Sequence, residues 1–320
     1  MSNLLREFNH VNAKSLDEAV GLLSETGAQA IAGGTDLLGT MKLYILRDYP
    51  RLIVNLKTIA PSLDYITDQD GVLKIGALTK LGDIAKSDVV NKKWSALSQA
   101  AQKTASPHIR EMGTIGGNIC QLPRCLYFRK KWNRFDCARK GGNACYALSG
   151  ENRYHSIFGA VKSCVDVNPS DLAPALVALN ASVVTTKRTI HCEQFWDVAI
   201  PNTTVLAPDE LVKEIQIPAP SSGAKSTFIK FALRSSIDFP IVNCAALIGG
   251  DAARICLNAV YNKPYRATKA EDQVKGKAID DTVAELSGNA SVQDAIALPF
   301  NKWKIQIAKT MVARAVLACK

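Results

Sequence analysis

The sequence has no apolar run near the roughly eighteen residues that a membrane-spanning helix requires. Its longest apolar segments, such as LAPALVAL at 172–179, are short or interrupted. The N-terminus, MSNLLREFNHVNAKSLDEAV, has no basic stretch followed by an apolar one, so no secretory signal is read there. The expected location is the cytoplasm, with export only as part of a complex carried by a partner's signal. Close C-x₂₋₄-C pairs, which zinc usually recruits, are scarce: only Cys120 and Cys125 fit. No Ser-His-Asp set or paired carboxylates stand out, and no internal repeat or low-complexity tract appears.

What is present bounds the answer from the other side. The chain has 320 residues, 47% of them apolar, and a mean hydropathy of +0.01. That suffices for two or three packed domains. Nine cysteines is a high and odd count for a chain kept inside the cell. A disulfide framework is not expected there, which leaves buried thiols, catalysis or metal. The formal charge of +10 permits nucleic acid, an acidic partner or an anionic cofactor. The one dense basic run lies at 124–140 and includes Lys130, Lys131 and Arg134.

Periodicity divides the chain. SLDEAVGLLSETG (15–27) predicts a helix capped by Ser15, with Glu18 completing a capping box and Gly27 ending it. AQAIAGG (28–34) and RLIVNL (51–56) read as strands, so the opening is a β-α-β unit. An Asp70-Gly71 turn predicts a hairpin, WSALSQAAQKTA (94–105) and SDLAPALVAL (170–179) predict helices, and SVVTTKRTIHC (182–192) predicts paired strands. Prolines and serines mark a boundary near 219–225, and WKIQIAKTMVARAVLAC (303–319) predicts a strong terminal helix.

Two glycine loops stand out. In AIAGGTDL (30–37) adjacent glycines let backbone N–H groups turn inward as an anion nest, without matching a dinucleotide or P-loop fingerprint. GTIGGNI (113–119) is a second loop of this kind. Together they suit two parts of one phosphate-containing cofactor; the competing reading is two tight turns. Between Cys120 and Cys164 runs a polar, basic segment with no apolar periodicity, including RKKWNRFDCARKGGNAC. Such a segment does not fold by burial alone, and thiolate ligation would staple it. The alternative is scattered buried thiols, the reading given to Cys192, Cys244, Cys256 and Cys319.

Read in order, AGGTDLL (32–38), TIGGNI (114–119), SDLAPALVAL (170–179) and KFALRSSIDFPIVNCAAL (230–247) resemble the FAD-binding medium subunit of the molybdenum hydroxylases, the xanthine dehydrogenase and carbon monoxide dehydrogenase superfamily. The likeness implies an α+β fold. A two-part FAD-binding module comprises a small β-α-β unit (1–57) and a larger α/β subdomain (58–222), and a C-terminal α+β domain (223–320) follows. It implies that Ala32, Gly33, Gly34, Thr35 and Asp36 hold the FAD pyrophosphate. Thr114, Gly116, Gly117 and Asn118 would line the other side, and Asp171 would bond the ribityl or adenosine portion. Lys230 and Arg234 match a basic pair of the family pattern.

The insertion at about 120–168, with RCLYFR, NRYHSIFG and the last Cys before NPSD, is similar to that of 4-hydroxybenzoyl-CoA reductase and the bacterial periplasmic aldehyde oxidoreductase. That similarity implies a [4Fe-4S] cluster on Cys125, Cys137, Cys145 and Cys164, with Cys120 in reserve and His155 supporting the loop. The chain would then be an electron-transfer subunit of an oxidoreductase. Its implied partners are a molybdenum-cofactor large subunit, a [2Fe-2S] small subunit and an external carrier such as ferredoxin, guided by Lys130, Lys131 and Arg134. Substrate chemistry would lie in the large subunit. The alternatives are the same flavoprotein with structural or zinc-bound cysteines, and, remotely, a basic nucleic-acid-binding protein.

Overall fold

In a computed structural model the described residues are 4–60, 62–197, 200–235 and 237–320. The first three residues of the expected N-terminal unit, and Ser236 within the expected C-terminal segment, lie outside them. Ser15 begins the first helix as its sequence predicts: its Oγ accepts from Glu18 N at 3.1 Å. Glu18 reaches back one residue further than a capping box requires, to Lys14 N at 2.7 Å. This helix, α1 (Leu16–Leu23), links β1 (Asn9–Asn12) to β2 (Ala28–Ile31). After β2 the chain enters the first glycine loop and α2 (Leu37–Lys42), then β3 (Leu52–Asn55), which lies between β1 and β2 in a parallel sheet.

The second region begins with β4 (Ile66–Gln69) and β5 (Val72–Gly76). Asp70 and Gly71 both have positive φ, 51° and 75°, as a tight hairpin turn demands. Short helices α3 (Leu81–Lys86) and α4 (Asp88–Lys93) lead to α5 (Ser95–Lys103), α6 (Pro107–Arg110) and α7 (Ile115–Ile119), the last formed by the second glycine loop. Beyond the insertion come α8 (Leu172–Ala178), β6 (Ser182–Thr185), β7 (Thr189–His191), α9 (Cys192–Phe195) and β8 (Val212–Pro218). The strands form an antiparallel sheet in the order β4-β5-β8-β6-β7. Its core places Trp94, Leu97 and Leu176 with Val183 and Ile215, all buried.

A third, antiparallel sheet, ordered β12-β11-β10-β9, comprises β9 (Lys225–Phe231), β10 (Val242–Gly249), β11 (Ala252–Asn258) and β12 (Tyr265–Arg266). Helices α10 (Thr268–Val274), α11 (Asp281–Ala290) and α12 (Trp303–Leu317) complete the chain. Ala308, Val312 and Ala315 of α12 pack against Val242, Ala246 and Leu257 in one apolar cluster. The mixed α/β architecture, with an N-terminal β-α-β unit and a C-terminal α+β region, is the one expected. Among the described residues no helix is long and apolar enough to cross a membrane.

Candidate functional site

The two glycine loops meet. A Cβ on Gly33 would lie 1.9 Å from Met112 O and 3.2 Å from Gly113 Cα, so only glycine lets the backbones approach this closely. Gly34 has φ +70°, the left-handed turn that reverses the chain into α2. Both loops open into one cavity of about 770 Å³. That is toward the upper end of the roughly 300–1,000 Å³ usual for ligand pockets. It is lined by Ala32, Gly33, Gly34, Thr35 and Asp36, by Thr114, Gly116, Gly117 and Asn118, and by Asp171. Ten of the eleven residues expected to bind cofactor therefore share it; the eleventh, Lys230, lies behind Asp171.

The loops differ in what they offer. Among the described residues, the N–H groups of Gly34, Thr35 and Asp36 find no protein acceptor, so they are free for an anion. In the second loop Ile115 N donates to Thr79 O at 2.9 Å, Gly116 N to Ala77 O at 3.0 Å and Asn118 N to Thr114 O at 2.9 Å. Gly117 N donates to Thr114 Oγ1 at 3.1 Å. This loop is thus a pre-formed wall, and it contributes shape more than donors. Asn118 Oδ1 accepts from Ser170 Oγ at 2.5 Å, which ties the wall to the start of α8.

Two carboxylates do work that the spacing did not disclose. Asp36 Oδ1 pairs with Arg129 at 2.7 Å and Arg124 at 2.9 Å, and its Oδ2 accepts from Leu122 N at 2.9 Å. The first loop is thereby fastened to the cysteine insertion. Asp171 is buried, with Oδ2 held by Lys230 at 2.6 Å and Oδ1 by Asn243 at 2.7 Å. Burial pushes its carboxyl above the usual range, against the pull of Lys230 and Asn243. Arg234 does not join this pair; it pairs with Asp238 on the surface.

Cys125, Cys137, Cys145 and Cys164 line a second cavity, of about 10 Å³. Cys120 stands apart: it lines the large cavity, and burial pushes its thiol up to about 12. Within the small cavity a hydrogen bond from Cys164 holds the Cys145 thiol below the ordinary thiol range. The same bond, with burial, drives Cys164 up. Burial pushes Cys125 up to about 12. His155 Nε2 lies 3.2 Å from Cys125 Sγ. Its carbonyl accepts from Asn301 Nδ2 at 3.1 Å and Lys304 Nζ at 3.0 Å, so it braces the loop. Among the described residues, no group of three or more His, Cys, Asp or Glu side chains stands close enough together to hold a metal ion. The expected [4Fe-4S] ligand set of Cys125, Cys137, Cys145 and Cys164 is thus not gathered as a metal-binding group among the described residues.

Residues 6–220 match the family described as the FAD binding domain in molybdopterin dehydrogenase. The chain belongs to that family. It is thus a member of an oxidoreductase-subunit family. It is 34% identical over 268 residues to the aldehyde oxidoreductase FAD-binding subunit PaoB of Escherichia coli, covering 80% of this chain and 83% of that one. It is 28% identical over 298 residues to the glyceraldehyde dehydrogenase medium chain of Sulfolobus acidocaldarius, covering 90% and 88%. Carbon monoxide dehydrogenase from Hydrogenophaga pseudoflava superimposes with a TM-score of 0.76 at 25% identity, over 99% of this chain and 98% of that one. Quinoline 2-oxidoreductase from Pseudomonas putida shares the fold, with a TM-score of 0.74 at 20% identity.

Proposed function

We propose that this chain is the FAD-carrying electron-transfer subunit of a molybdenum-hydroxylase-type complex, with a molybdenum-cofactor large subunit and a [2Fe-2S] small subunit as partners. The observation that carries the reading is the first loop's row of N–H groups without a protein acceptor, on residues that line the same cavity as the second loop. The donor set fits a dinucleotide: backbone N–H groups for the pyrophosphate, apolar walls for the rings, and a cation to offset Asp36. When bound, FAD supplies the exchange of single electrons for electron pairs. The chain's own residues bind it, orient it and shape access to it. Ala32–Asp36 hold the pyrophosphate. Thr114, Gly116, Gly117 and Asn118 form the facing wall, and Asp171 with Lys230 fixes that wall to the third sheet. Lys130, Lys131 and Arg134 guide an acidic carrier.

The test is co-purification of the full chain with its neighbours, followed by flavin and metal analysis. One FAD per chain, together with molybdenum and [2Fe-2S] signals from copurifying subunits, is expected. A folded, partner-bound chain that takes up no flavin would overturn the reading.

A second reading adds a [4Fe-4S] cluster on Cys125, Cys137, Cys145 and Cys164. The observation favouring it is that these four thiols line one cavity while Cys120 does not. The donor type fits such a cluster, and Lys140 supplies buried positive charge near it, while the charge of Arg139 is met by Asp166. The present spacing does not fit: about 10 Å³ leaves room for no cluster core until the side chains turn outward. Iron and sulfide analysis of anaerobically purified chain separates this reading from structural thiols. Iron confined to the small subunit eliminates it.

A further inference from the structure

We infer that Arg124 is a direct ligand of the bound dinucleotide, placed by the cysteine insertion to supply the positive charge that Asp36 takes from the first loop. The inference rests on the FAD reading above.

Four observations converge on this side chain. Arg124 lines the large cavity alongside Asp36 and Phe239. Its Nε is buried and has no hydrogen-bond partner. Leaving such a donor empty costs about 1–3 kcal/mol; it is covered as placed, so a ligand oxygen meets it only with a small turn of the side chain. Of the two terminal nitrogens one is fixed, and Nη1 makes no hydrogen bond among the described residues. One Nη lies 2.9 Å from both Gln121 Oε1 and Asp36 Oδ1. The guanidinium sits over the Phe239 ring, 4.6 Å from its centroid. A side chain held by Gln121, Asp36 and Phe239, with Nη1 left without a partner, is oriented for a ligand.

The charge count leads to the same place. Asp36 is next to the N–H nest, where its carboxylate would repel a pyrophosphate. Two guanidiniums, Arg124 and Arg129, meet that one carboxylate, which leaves a net charge of about one positive. Of the two, Arg129 also donates from Nε to Pro123 O at 2.7 Å and from Nη2 to Leu122 O at 3.0 Å, turned toward the insertion's own backbone. Only Arg124 lines the cavity. A guanidinium is cationic at neutral pH, and an anionic ligand would relieve the crowding of Arg124 and Arg129 around one carboxylate. The chemistry it recognises is an electron-rich oxygen of the cofactor, on the pyrophosphate or on the flavin ring.

The test compares wild type, Arg124→Gln, Arg124→Lys and Arg129→Gln in the full chain, measuring FAD and ADP dissociation constants and the flavin midpoint potential. FAD affinity is expected to fall roughly tenfold or more in Arg124→Gln. The fall should be clearly smaller in Arg129→Gln, which loosens Asp36 without removing a cavity donor. Arg124→Lys should recover part of the loss. If the contact is to phosphate, ADP loses affinity by the same factor and the potential is unchanged. If the contact is to the ring, ADP binding is unchanged and the potential falls, because a cation favours added negative charge. Equal effects of Arg124→Gln and Arg129→Gln would overturn the inference, as would wild-type affinity and potential in Arg124→Gln. Should Arg124→Gln fail to fold, Arg124→Lys, which keeps the charge but lacks Nε, must still weaken FAD relative to wild type. Wild type that binds no FAD would defeat the functional reading instead.

Discussion

The ammonium of Lys230 on β9 lies 2.6 Å from the carboxylate of Asp171 at the start of α8, and both side chains are almost wholly enclosed. The pair joins the second region to the third sheet, and Asn243 of β10 closes it from the other side at 2.7 Å. Removing either partner leaves a buried charge uncompensated, at a cost of about 3–5 kcal/mol. Lys230→Met and Asp171→Asn should each lower the urea midpoint strongly, and the double variant should recover much of the loss. A double variant as unstable as the sum of the singles would show that the two charges do not act as a pair.

Gly33 makes a sharper prediction, because the contact it permits is between backbones. Gly33→Ala forces apart the two loops that meet at Met112 O. Flavin affinity should fall roughly tenfold or more. Visible flavin absorbance per folded chain is the measurement. Gly39→Ala, where an added Cβ meets nothing within 4 Å, serves as the matched control. Equal flavin content in both variants would sink the claim.

The sequence exposes what depends on local backbone demands. Gly33, Gly34 and the Asp70-Gly71 turn could be found because their conformations exclude most other residues. The apolar face of α12 appeared for a similar reason, since a buried helix needs that period. β1 was missed: NHVN is polar and mostly exposed, and it is a strand only because it pairs with Leu52–Asn55 across the chain. The anchors of Asp36 were also hidden, being 86 to 93 residues away in a segment without periodicity. The partners of a carboxylate are a property of the fold, so its sequence neighbours suggested a role in the loop alone.

Lys304 is the plainest case of this kind. It lies on the buried side of α12, where a lysine in sequence reads as surface. Its Nζ donates to Tyr154 O at 3.2 Å, His155 O at 3.0 Å and Ala259 O at 2.5 Å. Burial alone pushes the amine down to about 7. Three carbonyl acceptors, however, call for three N–H groups, which only the ammonium has. The site is built for the charged form. Lys304→Met keeps the length but orphans Tyr154 O and Ala259 O and leaves His155 O with Asn301 alone, and should cost on the order of 3 kcal/mol. Amide exchange at 154–156 should accelerate more than exchange in the first sheet. Uniform acceleration would mean that Lys304 supports the whole domain and not that segment.

Glu193 on α9 sets a pH dependence whose sign can be worked out. Its Oε1 accepts from Arg254 Nη2 at 2.5 Å and Arg266 Nη1 at 2.9 Å, linking α9 to β11 and β12. Partial burial pushes its carboxyl up, but the two guanidiniums outweigh it and hold the group below its ordinary 4.5. The folded carboxylate therefore releases its proton at a lower pH than the unfolded one. The stabilisation is fully present above the ordinary value and is lost as pH falls through the depressed one. Glu193→Gln should be less stable than wild type by about 1 kcal/mol at neutral pH. Urea midpoints measured down to about pH 3 should then converge, because protonation takes from the wild type what the amide already lacks. A gap that stays constant across that range would mean the carboxylate contributes through packing and not through its charge.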